Sequence, residues 1–458
     1  MEYWLDEWFQ SDSSKWTIKS DYGFLHVYAL TMTLGVLAAI ALACYQMWRK
    51  KLPLQDILIA AIFIVPSGLF VASFFGKLNS DGKSMLGNYG FFGLFAFWKE
   101  GMSIHGAILG GGIAALISLY FLGRRTRISV FTYADCVAPG ILISQSIGRW
   151  GNFFNHELTG KPIGIYGSDA LSNMPKWLQD NLAFKATAEG IGKTLNGFTL
   201  EDNVTYVMQP LFLYESVSFL FLYLFIVLFI PGIGKWVGKK PWKVHPETYN
   251  LDWKKSWKYA FTWNKSLKDD TYFQIWRDAY FTKVETNRNA WYEQKLLEIS
   301  ATNKIKKRWL QGKALLEANN PDGYSPTRVG VQCGAYFLCW NLVRFFIEID
   351  RSQEGFFVMY NFGLSIALIV LTGLFGLILI ILAQFISPYL TRRPGCIYEK
   401  PYFYTEQIVE EVINKSSNSI FKKSKKVEQS KIEEKRKKAL EKLEKLSKQN
   451  NSSKDQQK

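Results

Sequence analysis

The sequence predicts an all-α polytopic membrane protein: about seven transmembrane helices, a small external head, a cytoplasmic insertion and a charged tail. Three observations carry this. Apolar residues gather into runs of about 20, the length of a bilayer-spanning helix, although the overall 48% hydrophobic content is that of an ordinary soluble chain. Clusters of Lys and Arg follow every second run, the pattern left by the positive-inside rule. Aromatic residues make up 16% of the chain, as expected where Trp and Tyr anchor spans at the interface.

In order, the spans run from Phe24 to Met47, Leu54 to Phe75, Ile104 to Leu122, Val130 to Ile147, Pro210 to Ile230, Val329 to Ile349 and Phe356 to Phe385. The first ends in Arg49-Lys50-Lys51 and the third in Arg124-Arg125-Thr126-Arg127. With basic clusters after spans one, three, five and seven, the N-terminus lies outside and the C-terminus in the cytoplasm. Residues 1–20 lack a basic start and do not resemble a cleaved signal peptide. Residues 1–230 thus hold spans one to five, with the external head at 158–208 after the fourth. Residues 231–327 form a basic, Trp-rich cytoplasmic insertion with a helical stretch near Asn287 to Ala318. Residues 328–386 hold spans six and seven, and 387–458 form a Lys/Glu-rich tail with weak heptad spacing from Ile432 to Leu446.

A net charge of +16 in such a protein belongs to basic surface facing anionic lipid, so membrane lipid rather than nucleic acid is the expected partner. Five cysteines without a C-x-x-C pair give no disulfide framework and no zinc site. No metal and no cofactor is expected.

The functional residues are the polar ones that oppose the apolar grain. The stretch Gly148-Arg149-Trp150-Gly151-Asn152-Phe153-Phe154-Asn155-His156-Glu157 follows the fourth apolar run. Guanidinium keeps its proton at any ordinary pH, so Arg149 at the edge of hydrocarbon implies an anionic partner. In the sixth run Tyr336, Trp340, Arg344 and Glu348 are spaced by four and share a face. Arg344 and Glu348 at i and i+4 form a charge pair that can cancel within the helix. Arg351 follows seven residues after Arg344. Two membrane arginines suit a phosphate group, whose oxygens guanidinium binds bidentately. His105, at the head of the third run, is a candidate proton acceptor. The glycines after it (Gly106, Gly110, Gly111, Gly112) fit close helix packing better than a nucleotide loop, since no strand precedes them. Tyr28 and His26 open the first span as interfacial anchors, and Leu213-Tyr214-Glu215 in the fifth is equally ambiguous.

Together these residues resemble the prolipoprotein diacylglyceryl transferases of bacteria. The family signature Gly-Arg-x-Gly-Asn-Phe-x-Asn-x-Glu matches Gly148 to Glu157 in full. His105-Gly106 after Gly101-Met102-Ser103, Asp135 with Ala138-Pro139, Gln145, Pro210 to Glu215, and Arg344-x-x-x-Glu348 with Arg351 match further. The resemblance implies transfer of the diacylglyceryl group of phosphatidylglycerol to the cysteine thiol of a prelipoprotein signal peptide, with glycerol phosphate leaving. It implies His105 as base, helped by Tyr28, since a thiol attacks best as thiolate. Arg149 and Arg344 would hold the lipid head group, Asn152, Asn155 and Glu157 would shape the pocket, and Glu348 would orient Arg344. The chain departs from the family in two places. Trp340 stands where a tyrosine is usual, and Pro66-Ser67-Gly68 where many members carry an arginine. The insertion and tail lie outside the common pattern. An anion or lipid transporter, or another lipid-phosphate enzyme, is the alternative. The spans show no internal repeat to support a transporter.

Overall fold

A computed structural model of the chain describes residues 3–79, 91–97, 103–262, 270–406 and 408, with the side chains of residues 78, 79, 104 and 105 also left aside. The expected tail helix at Ile432–Leu446 and the pair Gly101-Met102 lie outside the described residues. The chain divides into two compact units, Met1–Trp236 with Pro326–Gln384, and Val237–Ser325 with Phe385–Lys458.

Among the described residues of the first unit, six helices are long and apolar enough to cross a membrane. They are α1 (Val27–Arg49), α2 (Leu54–Asn79), α3 (Ile104–Thr126), α4 (Val130–Phe154), α5 (Leu211–Leu224, continued through a π-helical turn at Phe225–Phe229) and, after α6 (Val331–Glu348), α7 (Phe362–Ile381). Where the sequence predicts seven spans, α6 falls short of the apolar criterion. Its 18 residues reach about 27 Å at 1.5 Å per residue, but Gln332, Asn341, Arg344 and Glu348 lower its apolarity. Burial compensates: Asn341, Arg344 and Glu348 are among its buried residues.

Close approach of the helices rests on glycine. A Cβ at Gly106 would lie 2.4 Å from the Val71 carbonyl oxygen, and one at Gly110 2.6 Å from that of Ser67. These two therefore seat α3 on α2, whereas Gly112 faces open space. Likewise a Cβ at Gly376 would lie 2.5 Å from the Leu338 nitrogen, so α6 and α7 meet backbone to backbone.

α4 is fixed from both ends. Asp135 accepts the backbone N–H of Gly330 at 2.8 Å and of Cys333 at 2.9 Å, satisfying donors that the first turn of α6 leaves free. Three turns on, Ser146 Oγ donates to the Ser216 carbonyl at 2.8 Å, Ser216 Oγ to the Ser146 carbonyl at 3.0 Å, and Trp150 Nε1 to Ser216 Oγ at 3.1 Å. These bonds set the register between α4 and α5, one residue from Glu215.

The head is built on a four-stranded antiparallel sheet of β1 (Phe9–Ser11), β2 (Pro162–Ile165), β3 (Ala183–Ala186) and β4 (Thr205–Met208), in the order β1-β3-β4-β2. The helical membrane fold expected from the sequence is present, and the head adds to it a small sheet. Strands of three or four residues are too short to show alternation. One face packs Trp4, Phe9, Phe184, Tyr206 and Met208. Val207, on the other face, packs with Phe153 at the end of α4 and Phe212 at the start of α5.

In the second unit, helices Asn289–Glu298 and Lys304–Asn319 occupy the stretch expected to be helical. Arg308 donates to the carbonyls of Leu390 at 2.8 Å and Arg392 at 2.7 Å, and Lys400 to that of Asn319 at 2.8 Å. Trp309 stacks on Tyr389 with centroids 4.4 Å apart. Residues from Phe385 to about 406 thus fold with the insertion.

Candidate functional site

The last two turns of α4 carry Arg149 and Asn152, and Asn155 follows as the C-cap, its N–H bonded to the Gly151 carbonyl at 3.1 Å. The chain then turns sharply, with left-handed φ of +55° at His156 and +62° at Leu158, an uncommon conformation for residues with a Cβ. His156 holds this turn: its ring stacks on Trp16 with centroids 3.3 Å apart, and its nitrogens face the carbonyls of Asn181 at 3.0 Å and Ile18 at 3.2 Å.

Glu215, fully buried on α5, is the hub. It forms ion pairs with Arg149 Nε, with Arg344 Nη1 at 3.5 Å and with Arg351 Nη2 at 2.5 Å. Arg344 Nη2 also pairs with Glu348 at 2.8 Å. The Gly355 carbonyl accepts from both Arg344 and Arg351 at 3.2 Å, and Glu348 accepts the Phe357 N–H. Three guanidinium groups thus face two carboxylates, all at most 15% exposed. Burying such charges is tolerated only where they are paired and hydrogen-bonded. Here one positive charge is left over, and the buried Nε atoms of Arg344 and Arg351 have no hydrogen-bond partner. The arrangement is suited to taking up one further anion.

Of the residues singled out from the sequence, the structure joins Arg149, Arg344 and Glu348 through Glu215. Asn152 Nδ2 reaches Glu157 Oε2 at 3.4 Å. Tyr28 lies against the same turn of α4, since a Cβ at Gly151 would sit 3.1 Å from its ring. Asn155 is half-buried at the helix end. The His105 side chain lies outside the described residues. Arg344 and Glu348 do not simply cancel, because Arg344 is shared with Glu215. Glu215 and Arg351 are the members that sequence reasoning left out of the site. Signals for both existed: an acid in an apolar run with no cation within a turn, and an arginine two turns beyond Arg344. At the two departures, the buried Trp340 indole N–H has no partner, and a Cβ at Gly68 would lie 3.4 Å from the Ala107 carbonyl, so that position packs α2 on α3.

Beside the cluster, a cavity of about 410 Å³ is lined by Trp4, Asp6, Phe9, Glu157, Arg351 and Glu354, among others. The N-terminal segment forms one wall. Asp6 N–H donates to Glu354 at 3.0 Å, and Gln353 N–H to the Trp4 carbonyl at 2.9 Å.

Fold and site define a class, a multi-pass α-helical membrane protein that buries a net-cationic guanidinium–carboxylate cluster beneath a small head. A family model described as prolipoprotein diacylglyceryl transferase matches residues 20–241. Similar proteins, each named phosphatidylglycerol–prolipoprotein diacylglyceryl transferase, include one of Oceanobacillus iheyensis, 29% identical over 42% of this chain and 59% of its own length. Another, of Streptococcus suis, is 31% identical over 34% and 54%, and a third, of Streptococcus sanguinis, 32% identical over 44% and 66%. Through these residues the chain belongs to the prolipoprotein diacylglyceryl transferase family. It spans about half to two thirds of the length of these relatives. Arg344, Glu348 and Arg351 lie beyond the matched segment and meet it in space at Glu215.

Proposed function

We propose that the protein transfers the diacylglyceryl group of phosphatidylglycerol to the cysteine thiol of a prelipoprotein signal peptide, in a bacterial plasma membrane. The observation that carries this is the buried cluster of Arg149, Arg344 and Arg351 around Glu215 and Glu348, with its single uncompensated positive charge. In the reaction the thiol loses its proton to a base and sulfur bonds to the glyceryl carbon that carried the phosphate. The carbon–oxygen bond breaks with its electrons on the leaving oxygen. A phosphodiester with one negative charge becomes a glycerol phosphate with two. Fixed guanidinium groups in a water-poor site stabilise that added charge without reorganising.

In this reading Arg149 and Arg344 hold the lipid phosphate, Glu348 and Glu215 orient the guanidiniums, and Asn152, Asn155 and Glu157 shape the pocket mouth. His105, helped by Tyr28, is the base. The cavity lined by Trp4, Phe9, Glu157 and Glu354 receives the acceptor chain, since its carboxylates disfavour a second phosphate. The basic clusters orient the N-terminus and the head outward, with the C-terminus and the insertion in the cytoplasm.

The test is transfer in vesicles of phosphatidylglycerol with a peptide bearing a lipobox cysteine. The peptide is expected to gain the mass of one diacylglyceryl group, with one glycerol phosphate released per peptide modified. Glycerol phosphate released without peptide modification would instead mark a hydrolase.

A further inference from the structure

The second unit carries a surface that the family resemblance leaves unexplained. Helix Trp253–Ala260 is capped by Asp252, whose carboxylate accepts the Lys255 N–H at 3.0 Å. It turns Ser256 inward, where Ser256 Oγ accepts the Tyr272 N–H at 2.9 Å. The adjoining side is open, with Trp253 at its edge stacked on Tyr272 at a centroid distance of 6.0 Å. Trp253, Trp257 and Phe261, spaced by four, are 65%, 72% and 73% exposed, and Trp257 and Phe261 touch edge to face with centroids 5.2 Å apart. Positions i, i+4 and i+8 advance only 80° around a helix, so the three rings form one stripe. Lys254 and Lys258, both exposed, lie on the flank of that stripe away from Ser256. Lys255 is held apart by Asp270 at 2.9 Å.

Aromatic rings are costly to leave in water, and a soluble helix shows its apolar side to a core. Here the buried side is the small one, and the exposed side joins indole and phenyl rings to the exposed ammonium groups of Lys254 and Lys258. Trp is favoured where one end of the ring meets apolar material and the other water, as at a bilayer interface. Lysines beside such a stripe reach anionic head groups while their methylene stems cover apolar surface. The unit is tied by the chain at both ends to apolar helices long enough to cross a membrane, Leu211–Val244 and Phe362–Leu390, which keeps it near a bilayer.

We propose that the Trp253–Trp257–Phe261 stripe lies in the interface of an anionic lipid surface, with Lys254 and Lys258 against the phosphate groups. This surface is separate from the guanidinium site and holds the insertion on the membrane whatever that site transfers.

The test uses the full chain in nanodiscs, with hydroxyl-radical oxidation of individual side chains read by mass spectrometry. In nanodiscs containing phosphatidylglycerol, oxidation of Trp253 and Trp257 is expected to fall roughly 25-fold below that in phosphatidylcholine nanodiscs or detergent, given about fivefold in partitioning for each of the two lysines near an anionic surface. Trp177 of the head, 45% exposed, serves as the reference. K254Q/K258Q should restore oxidation in phosphatidylglycerol, with the buried Trp276 (1% exposed) still protected to show that the unit is folded. Oxidation of Trp257 equal in all three settings overturns the proposal and leaves the stripe to a protein partner. Protection that survives K254Q/K258Q, or that is equal in both lipids, also overturns it, because charge would then play no part.

Discussion

Glu215 shows how far a single residue is legible from sequence and where legibility stops. Arg149 and Arg344 stand out because a permanent charge in an apolar run requires a partner. The identity of that partner is not local. Glu215 lies 66 positions from Arg149 and 136 from Arg351, and only the docking of α4, α5 and α6 brings the three together. Within its own helix it reads as one acid beside a tyrosine. Its replacement is correspondingly severe. Glu215→Gln leaves three guanidiniums facing one carboxylate, and breaking a buried pair of this kind costs about 3–5 kcal/mol. The expected outcome is a large fall in apparent melting temperature in detergent. Glu157→Gln, on an exposed residue, should leave it unmoved. Equal melting of Glu215→Gln and the parent would remove Glu215 as the hub. Trp340 is a departure whose consequence the structure makes specific. Its indole N–H is buried without a partner, and nothing in the structure explains why tryptophan stands there.

At the scale of elements, the apolar helices were readable because length and composition alone identify them, and the small head was not. Its strands have three or four residues, and β1 comes from a segment more than 150 positions before its partner β3. α6 was read as a span from its apolar residues; its polar ones, Asn341, Arg344 and Glu348, are buried, while Leu342 and Phe346 stay exposed. The glycines of α3 were readable as packing residues, although not which of them pack. Gly110→Val should therefore lower stability by about 1–3 kcal/mol, the cost of overpacking a tight contact, whereas Gly112→Ala should be near neutral because nothing lies within 4 Å. Thermal unfolding of both variants in one detergent checks the contrast.

In the second unit His245 supplies a pH dependence. Hydrogen bonding to Asp322 at 2.9 Å, opposed by slight burial and aided by the charges of Asp322 and of Glu247 at 3.1 Å, raises its pKa. Its contribution is fully present below the unfolded value of about 6.5 and is lost as pH rises through the higher folded value. Proteolysis within residues 237–262 should accordingly be faster for His245→Gln than for the parent on the acidic side, with the difference vanishing in alkali. A difference that persists in alkali would contradict the assignment.

For the whole molecule, the alternation of basic clusters is a global signal that no single helix contains. It predicts that Asp202→Cys in the head reacts with an impermeant maleimide on intact cells, and that Lys304→Cys in the insertion reacts only after lysis. The opposite pattern would invert the orientation. The division into two units was less legible, because the contacts of Arg308 with residues 390 and 392 join segments that the sequence separates by two apolar runs. The family-model match ends at residue 241, while three of the five arginines and acids of the cluster, Arg344, Glu348 and Arg351, come from residues after 340. The central claim is that these distant residues act as one phosphate-binding site for diacylglyceryl transfer. The most direct test compares the parent with Arg149→Ala in phosphatidylglycerol vesicles containing a lipobox peptide. The account predicts robust transfer by the parent and a loss of roughly 100- to 1,000-fold in the variant. Transfer by folded Arg149→Ala at the parental rate would contradict it.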